Sequence, residues 1–329
     1  MPTNPIDFVL WPIKWAIEFI LVTFHTVFEA IGLDPDAGIT WVLSIIGLTI
    51  VVRAALIPIF VRQIKSQRRM LEVAPQLKKI QDKYKGKKDQ FSREAMSRET
   101  MEMYKKTGTN PLSSCLPLLL QMPIFFGLFS VLNGAQHQNA DGSHNPGVGL
   151  LNQDLSTSFG TSSLFDIAPL HLAISTADGN VAVIVIAAVM VVVMTASQFI
   201  TQLQIMSKNQ SPELKASPMY RQQRILLYLL PLVFAFSGFT FAIGVMFYWL
   251  ASNLWTMGQQ FLVIRNMPTP GSEAALARES RLARKAQRKG LPVENDDAGT
   301  VLEEEAKKPQ RQQPVNKNRA KKKSGGNRK

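Results

Sequence analysis

Four stretches of the chain, residues 39–61, 112–133, 180–206 and 225–264, are almost free of charged side chains. A helix needs about 20 apolar residues to cross a bilayer, and the last stretch is long enough to cross twice. In lipid only helices and closed barrels satisfy their own backbone groups, so uncharged runs of this length predict helical spans. The pattern therefore predicts an all-α integral membrane protein with five spans, near 39–61, 112–133, 180–206, 225–240 and 242–264. Gly238 and Gly244 bracket the turn between the last two. Pro117 and Pro123 predict a kinked second span, because each withholds the N–H that the carbonyl four residues back would accept.

The segments between the spans differ in character. Residues 8–31 are apolar, but Lys14, Glu18, His25 and Glu29 recur at helical spacing and, at about 100° per residue, share an arc of roughly 60°. Such a stripe suits a helix lying in the membrane interface, so residues 1–38 are read as an external-side segment with an interfacial amphipathic helix, ending in the turn Asp34-Pro35-Asp36-Ala37-Gly38; a poor span or signal anchor is the alternative. Residues 62–106 carry fourteen Lys and Arg against six acids. Val73, Leu77, Ile80 and Tyr84 recur there in steps of three and four, Gly86 interrupts, and Phe91, Ala95, Met96, Met103 and Tyr104 offer a second inner face before Gly108 and Asn110-Pro111. A helical hairpin standing in water is expected. Residues 134–179 form a polar loop without Lys or Arg.

Charge gives the arrangement a direction. Of the formal net charge of +13, most sits in residues 265–329, where seventeen Lys and Arg face eight acids. Cytoplasmic loops are the ones enriched in Lys and Arg. The hairpin, the 207–224 link and the tail are therefore cytoplasmic, and the 134–179 loop and the amino terminus lie outside. An odd number of spans satisfies this and an even number does not. Residues Met1–Leu10 carry Asp7 and no Lys or Arg, and no cleavage site follows a short apolar core, so no cleaved secretory signal is expected. The single cysteine, Cys115, excludes an intrachain disulfide and a multi-cysteine metal site.

Arg53 is the only charged residue inside any expected span, about 5 Å of helical rise from the middle of its helix. A central Arg costs about 2.5–3.5 kcal/mol on insertion scales, and such residues usually face a watery cavity; snorkelling to the inner surface is the alternative. Other spans carry polar stripes: Thr195, Gln198 and Gln202 on the third, Ser252, Thr256 and Gln259 with Asn253 and Gln260 on the fifth, and Gln121 on the second. Together they would line a hydrophilic recess in the cytoplasmic half; singly, each could be an interhelical hydrogen bond. No expected span holds Asp, Glu, Lys or His, which leaves a proton relay without its titrating group. His137, His144 and His171 lack metal-ligand spacing, and no nucleophile, phosphate loop or zinc signature gives an enzyme a footing. The tail, without aromatic residues, can offer attraction to the phosphates of RNA or anionic lipid but no base stacking; the alternative is that its basic runs serve only to fix topology.

These residues resemble the YidC family of membrane insertases, which has mitochondrial and thylakoid relatives. The resemblance rests on Ile50-Val51-Val52-Arg53 with Pro58, on Leu71-Glu72-Val73-Ala74-Pro75-Gln76-Leu77-Lys78, and on Asn110-Pro111-Leu112 with Cys115-Leu116-Pro117 and Leu120-Gln121-Met122-Pro123-Ile124-Phe125. Tyr248-Trp249-Leu250-Ala251-Ser252-Asn253 with Gln259-Gln260 completes it, in the family's order over residues 8–265. It implies a non-enzymatic insertase and chaperone of the bacterial plasma membrane that needs no cofactor. It also implies a five-span core enclosing a groove open to cytoplasm and lipid but closed outside, Arg53 as the groove's arginine, and residues 62–106 as a cytoplasmic coiled coil. Nascent membrane proteins are the implied partners, with the ribosome, met by the basic tail through rRNA phosphates, a Sec-type translocon and anionic lipids beside them. Ala242 stands where many relatives have proline, which puts the turn before the last span in question. A solute channel or transporter using the same recess, and a membrane tether for RNA, are the rival readings. A channel would move solute in liposomes without any nascent chain, and a tether would work through the tail alone.

Overall fold

The computed structural model describes residues 5–87, 89–108, 116–139, 142–215, 220, 224–225, 227–229, 236 and 238–289. The chain divides into two units, the boundary falling between Arg278 and Glu279. In the first unit α1 (Pro5–Ala30) is followed by α2 (Gly38–Glu72), α3 (Ala74–Lys83), α4 (Gln90–Thr107) and α5 (Leu116–Gln136). A segment with α6 (Gln153–Thr161) and a small antiparallel ribbon, β1 (Ser163–Leu164) and β2 (Ala168–Pro169), then leads to α7 (Val181–Lys208) and α8 (Pro212–Lys215). After these come α9 (Ile243–Asn266) and α10 (Glu273–Arg288), the latter continuing into the second unit. The expected span at 225–240 falls largely outside the described residues, as do residues 112–115 of the second and 290–329 of the tail.

α1 from Phe8, α2 as far as Ser66 and α7 are long and apolar enough to cross a membrane. The packing of α7 fits a lipid solvent. Val183, Ala187, Met190, Met194, Ser197 and Thr201, in steps of three and four, are buried. On other faces Val181, Val185, Val189 and Val192 are 53–70% exposed. A soluble protein seldom leaves so large a contiguous apolar surface in water. α2 continues past residue 61 to Glu72, because Arg62–Leu71 contains neither proline nor glycine. Its 35 residues make about 52 Å, well beyond the roughly 30 Å of hydrocarbon. Pro75, at the start of α3, has no N–H for the carbonyl of Leu71, and the helix breaks at Val73.

α3 and α4 pack on each other. Val73, Met103 and Tyr104 are buried, as the periodicity predicts. Lys83 bonds Glu99 at 2.8 Å, Asp89 caps α4 by accepting from the Ser92 N–H at 2.8 Å, and Gly108 ends it with φ +62°. Phe91 departs from expectation. In the first turn of α4 and 82% exposed, it is an outer residue, since a pair of helices leaves one flank of its tip uncovered.

The core gathers Ile17 and Leu21 from α1, Trp41, Ile45 and Leu48 from α2, and Leu128 and Leu132 from α5. Leu151, Phe159 and Leu170 of the 134–179 segment, Met194 of α7 and Ile243 and Met246 of α9 complete it. The segment that the sequence suggests as a plain loop is thus the lid of the core. Its carbonyls also serve α9: the N–H groups of Ile243 and Gly244, with no partner inside their own helix, donate to Leu172 O at 3.0 Å and Leu170 O at 2.9 Å. Ala242 has φ −59°, within the window a proline ring imposes, so alanine keeps the turn in the shape a proline would give it.

α1 corrects one expectation. Its polar residues do not form a single stripe turned to water: Glu18 and His25 are each 1% exposed. Glu18 accepts from the N–H groups of Val148 at 2.9 Å and Gly149 at 2.6 Å. His25 bonds the Pro35 carbonyl at 2.9 Å and lies 4.0 Å, centroid to centroid, from the Trp41 ring. Trp15 and Phe19 face outward instead. The stripe is polar because it receives backbone groups of distant segments, which local periodicity cannot reveal.

Candidate functional site

Away from the lid, the facing sides of the helices turn polar. Arg53 stands on α2 one turn beyond Thr49, whose hydroxyl donates to its own helix at Ile45 O, 2.7 Å away. α2 packs on α9, and there the guanidinium of Arg53, half-buried, donates to the hydroxyl of Ser252, itself buried. Tyr248 lies one turn before Ser252 on the same face of α9 and is buried, its ring hydroxyl beside Ser252 and the Arg53 charge. Gln121 of α5 donates to that hydroxyl at 3.4 Å. Thr256, one turn after Ser252, donates to the Ser252 carbonyl at 2.8 Å. Three helices thus converge on one cation through neutral polar groups, and Arg53 has no carboxylate within ion-pair distance among the described residues.

The other expected residues occupy the flanks. On α7 the buried stripe passes through Ser197 and Thr201, whose hydroxyls donate to Met194 O at 2.9 Å and Ser197 O at 2.7 Å. Gln198 and Gln202, one residue later in each case, stand half-buried at its edge. Thr195 Oγ1 and Asn253 Nδ2 are buried without a hydrogen-bond partner among the described residues. Gln259 accepts from the Trp255 indole N–H at 3.0 Å, within α9. Arg53, Ser252, Gln121 and Thr256 therefore form one bonded group with Tyr248, while no hydrogen bond among the described residues joins Thr195, Gln198, Gln202, Asn253 or Gln259 to it.

Two residues escape the sequence reading. Tyr248 belongs to the site, and its spacing of four from Ser252 and eight from Thr256 was the available signal. Gln63, on α2, is 3% exposed with both side-chain polar atoms unpaired among the described residues. Buried polar groups are nearly always hydrogen-bonded, and Gln63, Thr195 and Asn253 share their unpaired state among the described residues with ring nitrogens of His25 and His144, with Gln136 and with Ser156. No set of three His, Cys, Asp or Glu residues suited to a metal ion occurs among the described residues.

The family described as "60Kd inner membrane protein" matches residues 32–270, which takes in α2 through α9. A protein of Tropheryma whipplei (strain Twist) named membrane protein insertase YidC is 44% identical over 321 residues, covering 95% of this chain and 96% of its own. One of the same name from Bifidobacterium longum (strain NCC 2705) is 34% identical over 325 residues, 95% of each chain. A third, from Streptomyces avermitilis, is 43% identical over 284 residues, 84% of this chain and 62% of its own.

Proposed function

The chain belongs to the YidC family of membrane protein insertases, and from that premise we propose that it inserts its substrates through a hydrated groove centred on Arg53. The groove is lined by Arg53, Gln121, Thr195, Gln198, Gln202, Ser252, Asn253, Thr256 and Gln259, with Tyr248 in its wall. The observation that carries this reading is the bonding of Arg53: a cation on a membrane-length helix, held by Ser252 beside Tyr248 and Gln121 with no countercharge among the described residues. Uncompensated charge inside a bilayer costs several kcal/mol unless water reaches it. A site that tolerates such a charge offers a substrate's short polar segment a watery recess and a positive potential part-way through the bilayer. The hydrocarbon left to cross is shortened, and the substrate's apolar segment leaves sideways along the exposed valines of α7 and Leu254, Phe261 and Leu262 of α9.

In this reading the protein is a bacterial multi-pass membrane protein of five spans, with the amino terminus outside and the tail in the cytoplasm. α3 and α4 form a cytoplasmic hairpin, and the lid over the core closes the groove externally. The mechanism is the lowering of a desolvation barrier, without a cofactor or covalent chemistry. The ribosome, engaged by the basic tail, a Sec-type translocon and anionic lipids are its partners. A solute channel finds no support in the names of the relatives. Reconstitution tests the reading: proteoliposomes holding this chain alone should protect the translocated tail of a small single-span substrate from protease. Solute flux without insertion would overturn it.

A further inference from the structure

The start of α10 is fixed. Ser272 is fully buried, donates to Thr269 O at 2.7 Å and accepts from the Ala275 N–H at 3.3 Å, capping the helix. The Thr269 N–H bonds Asn209 Oδ1 at 2.8 Å, and Lys215 lies 3.9 Å from Glu273. The helix thus begins beside the end of α7, with only residues 267–272 between it and α9.

From that start five cations, Arg278, Arg281, Arg284, Lys285 and Arg288, accompany two carboxylates, Glu273 and Glu279. At about 100° per residue the cations share an arc of about 120°, and Ala275, Leu276, Leu282, Ala283 and Ala286 share an opposing arc of similar width. No residue of the helix is buried, and Leu276 and Leu282 are well exposed. We propose that α10 lies in the plane of a bilayer surface, its cations on anionic lipid headgroups and its two leucines at the acyl boundary. A surface helix with one basic and one apolar face has this form. A nucleic acid would meet the basic arc and leave the apolar one in water. The apolar arc is mostly alanine and contains Glu279, so attachment depends on charge, and a zwitterionic surface does not hold the helix. α9 is thereby fixed in depth at its carboxyl end whatever substrate is present. The inference goes beyond the groove and rests only on α9 as a span.

The test uses the full chain in lipid nanodiscs, with Leu282→Cys in a Cys115→Ala background and a neutral polar maleimide as probe. Labelling should be about tenfold slower in discs containing phosphatidylglycerol than in pure phosphatidylcholine discs, the scale expected of a few surface cations. Adding Arg281→Glu, Arg284→Glu and Arg288→Glu should restore the fast rate in anionic discs. Equal rates in the two lipids overturn the proposal, as does protection that appears only when ribosomes are added. Leu254→Cys in α9 separates the premises. If it stays silent while position 282 ignores lipid charge, the docking alone fails; if it labels, the span reading falls and the proposal with it.

Discussion

The guanidinium of Arg53 and the hydroxyl of Ser252, 199 residues apart in the chain, are joined by a hydrogen bond between α2 and α9. Serine is a neutral partner, so the bond orients the cation without cancelling it. This distinguishes the arrangement from a buried salt bridge, in which a carboxylate would offset the field a substrate could feel.

Positive charge rather than guanidinium geometry should therefore govern insertion. A lysine at position 53 keeps the charge and can still donate to Ser252, whereas a disordered polar tail offers no fixed carboxylate for the planar fork of arginine. Arg53→Lys should retain most insertion of an acidic-tailed substrate, and Arg53→Ala should lose about tenfold or more, the scale of a few kcal/mol at a membrane-depth charge. Protease protection of the substrate tail measures both. Equal loss in the two variants assigns Arg53 a structural role through Ser252.

Glu18 should hold the 134–179 segment onto α1. Glu18→Ala leaves the Val148 and Gly149 N–H groups unpaired at about 1–3 kcal/mol. Limited proteolysis should then cut near residues 145–151 faster than in the parent protein. Glu18→Gln retains one acceptor oxygen and should fall between the two.

The contrast between Arg53 and Glu18 indicates what the sequence could reveal. Arg53 is legible because a lone charge in an apolar run has few explanations, and Ser252 and Thr256 because they recur at helical spacing on one helix. Glu18 and His25 show the same periodicity, yet their partners are carbonyls and N–H groups at Pro35, Val148 and Gly149, which no local pattern encodes. Periodicity places side chains on a common face and leaves open what that face touches. The lid escapes for a related reason: β1 and β2 are two residues each, and the three-residue loop between them places Phe165 and Asp166 at φ +53° and +59° without a glycine to signal it.

Gly38 opens α2 directly against the lid. A Cβ there would stand 2.5 Å from the carbonyl carbon and oxygen of Ser163, backbone atoms that cannot swing aside. Gly38→Ala should cost about 1–3 kcal/mol and lower the melting temperature in detergent by several degrees. Gly258→Ala, whose Cβ would meet nothing within 4 Å, should leave it unchanged or raise it slightly through helix propensity.

Acid should loosen the lid through His171. Partial desolvation lowers its pKa below the usual 6.5 although the residue as a whole is exposed, a hydrogen bond with the Gly160 backbone opposes this, and the nearby His144 adds to the lowering. The unfolded segment thus takes up the proton first, so the stabilisation is complete above about pH 6.5 and is lost as pH falls through the folded value. Hydrogen exchange of amides 160–172, corrected for intrinsic rates, should accelerate between about pH 7.5 and about pH 5.5. His171→Gln should flatten that dependence, and an unchanged slope would assign it to other groups.

Water access to Thr195 distinguishes the groove from a snorkelling arginine. The Thr195 hydroxyl is buried without a protein partner among the described residues, on α7 and farther from its carboxyl end than Gln198 and Gln202, while Val192, one turn earlier, is 65% exposed. If a hydrated space reaches Arg53, single cysteines at 195, 198 and 202 in a Cys115→Ala background should all react with a small polar methanethiosulfonate applied from the cytoplasm. Val192→Cys and Leu254→Cys should stay silent, because hydrocarbon neither admits the reagent nor ionises a thiol. Snorkelling requires water only at the inner surface and predicts labelling at 202 with none at 195. Arg53→Ala adds a second reading: with the cation gone, labelling at 195 should slow, since the charge both draws water inward and favours the thiolate. A silent Thr195→Cys variant beside a reactive Gln202→Cys variant would make Arg53 an interfacial anchor and leave insertion to some other part of the molecule.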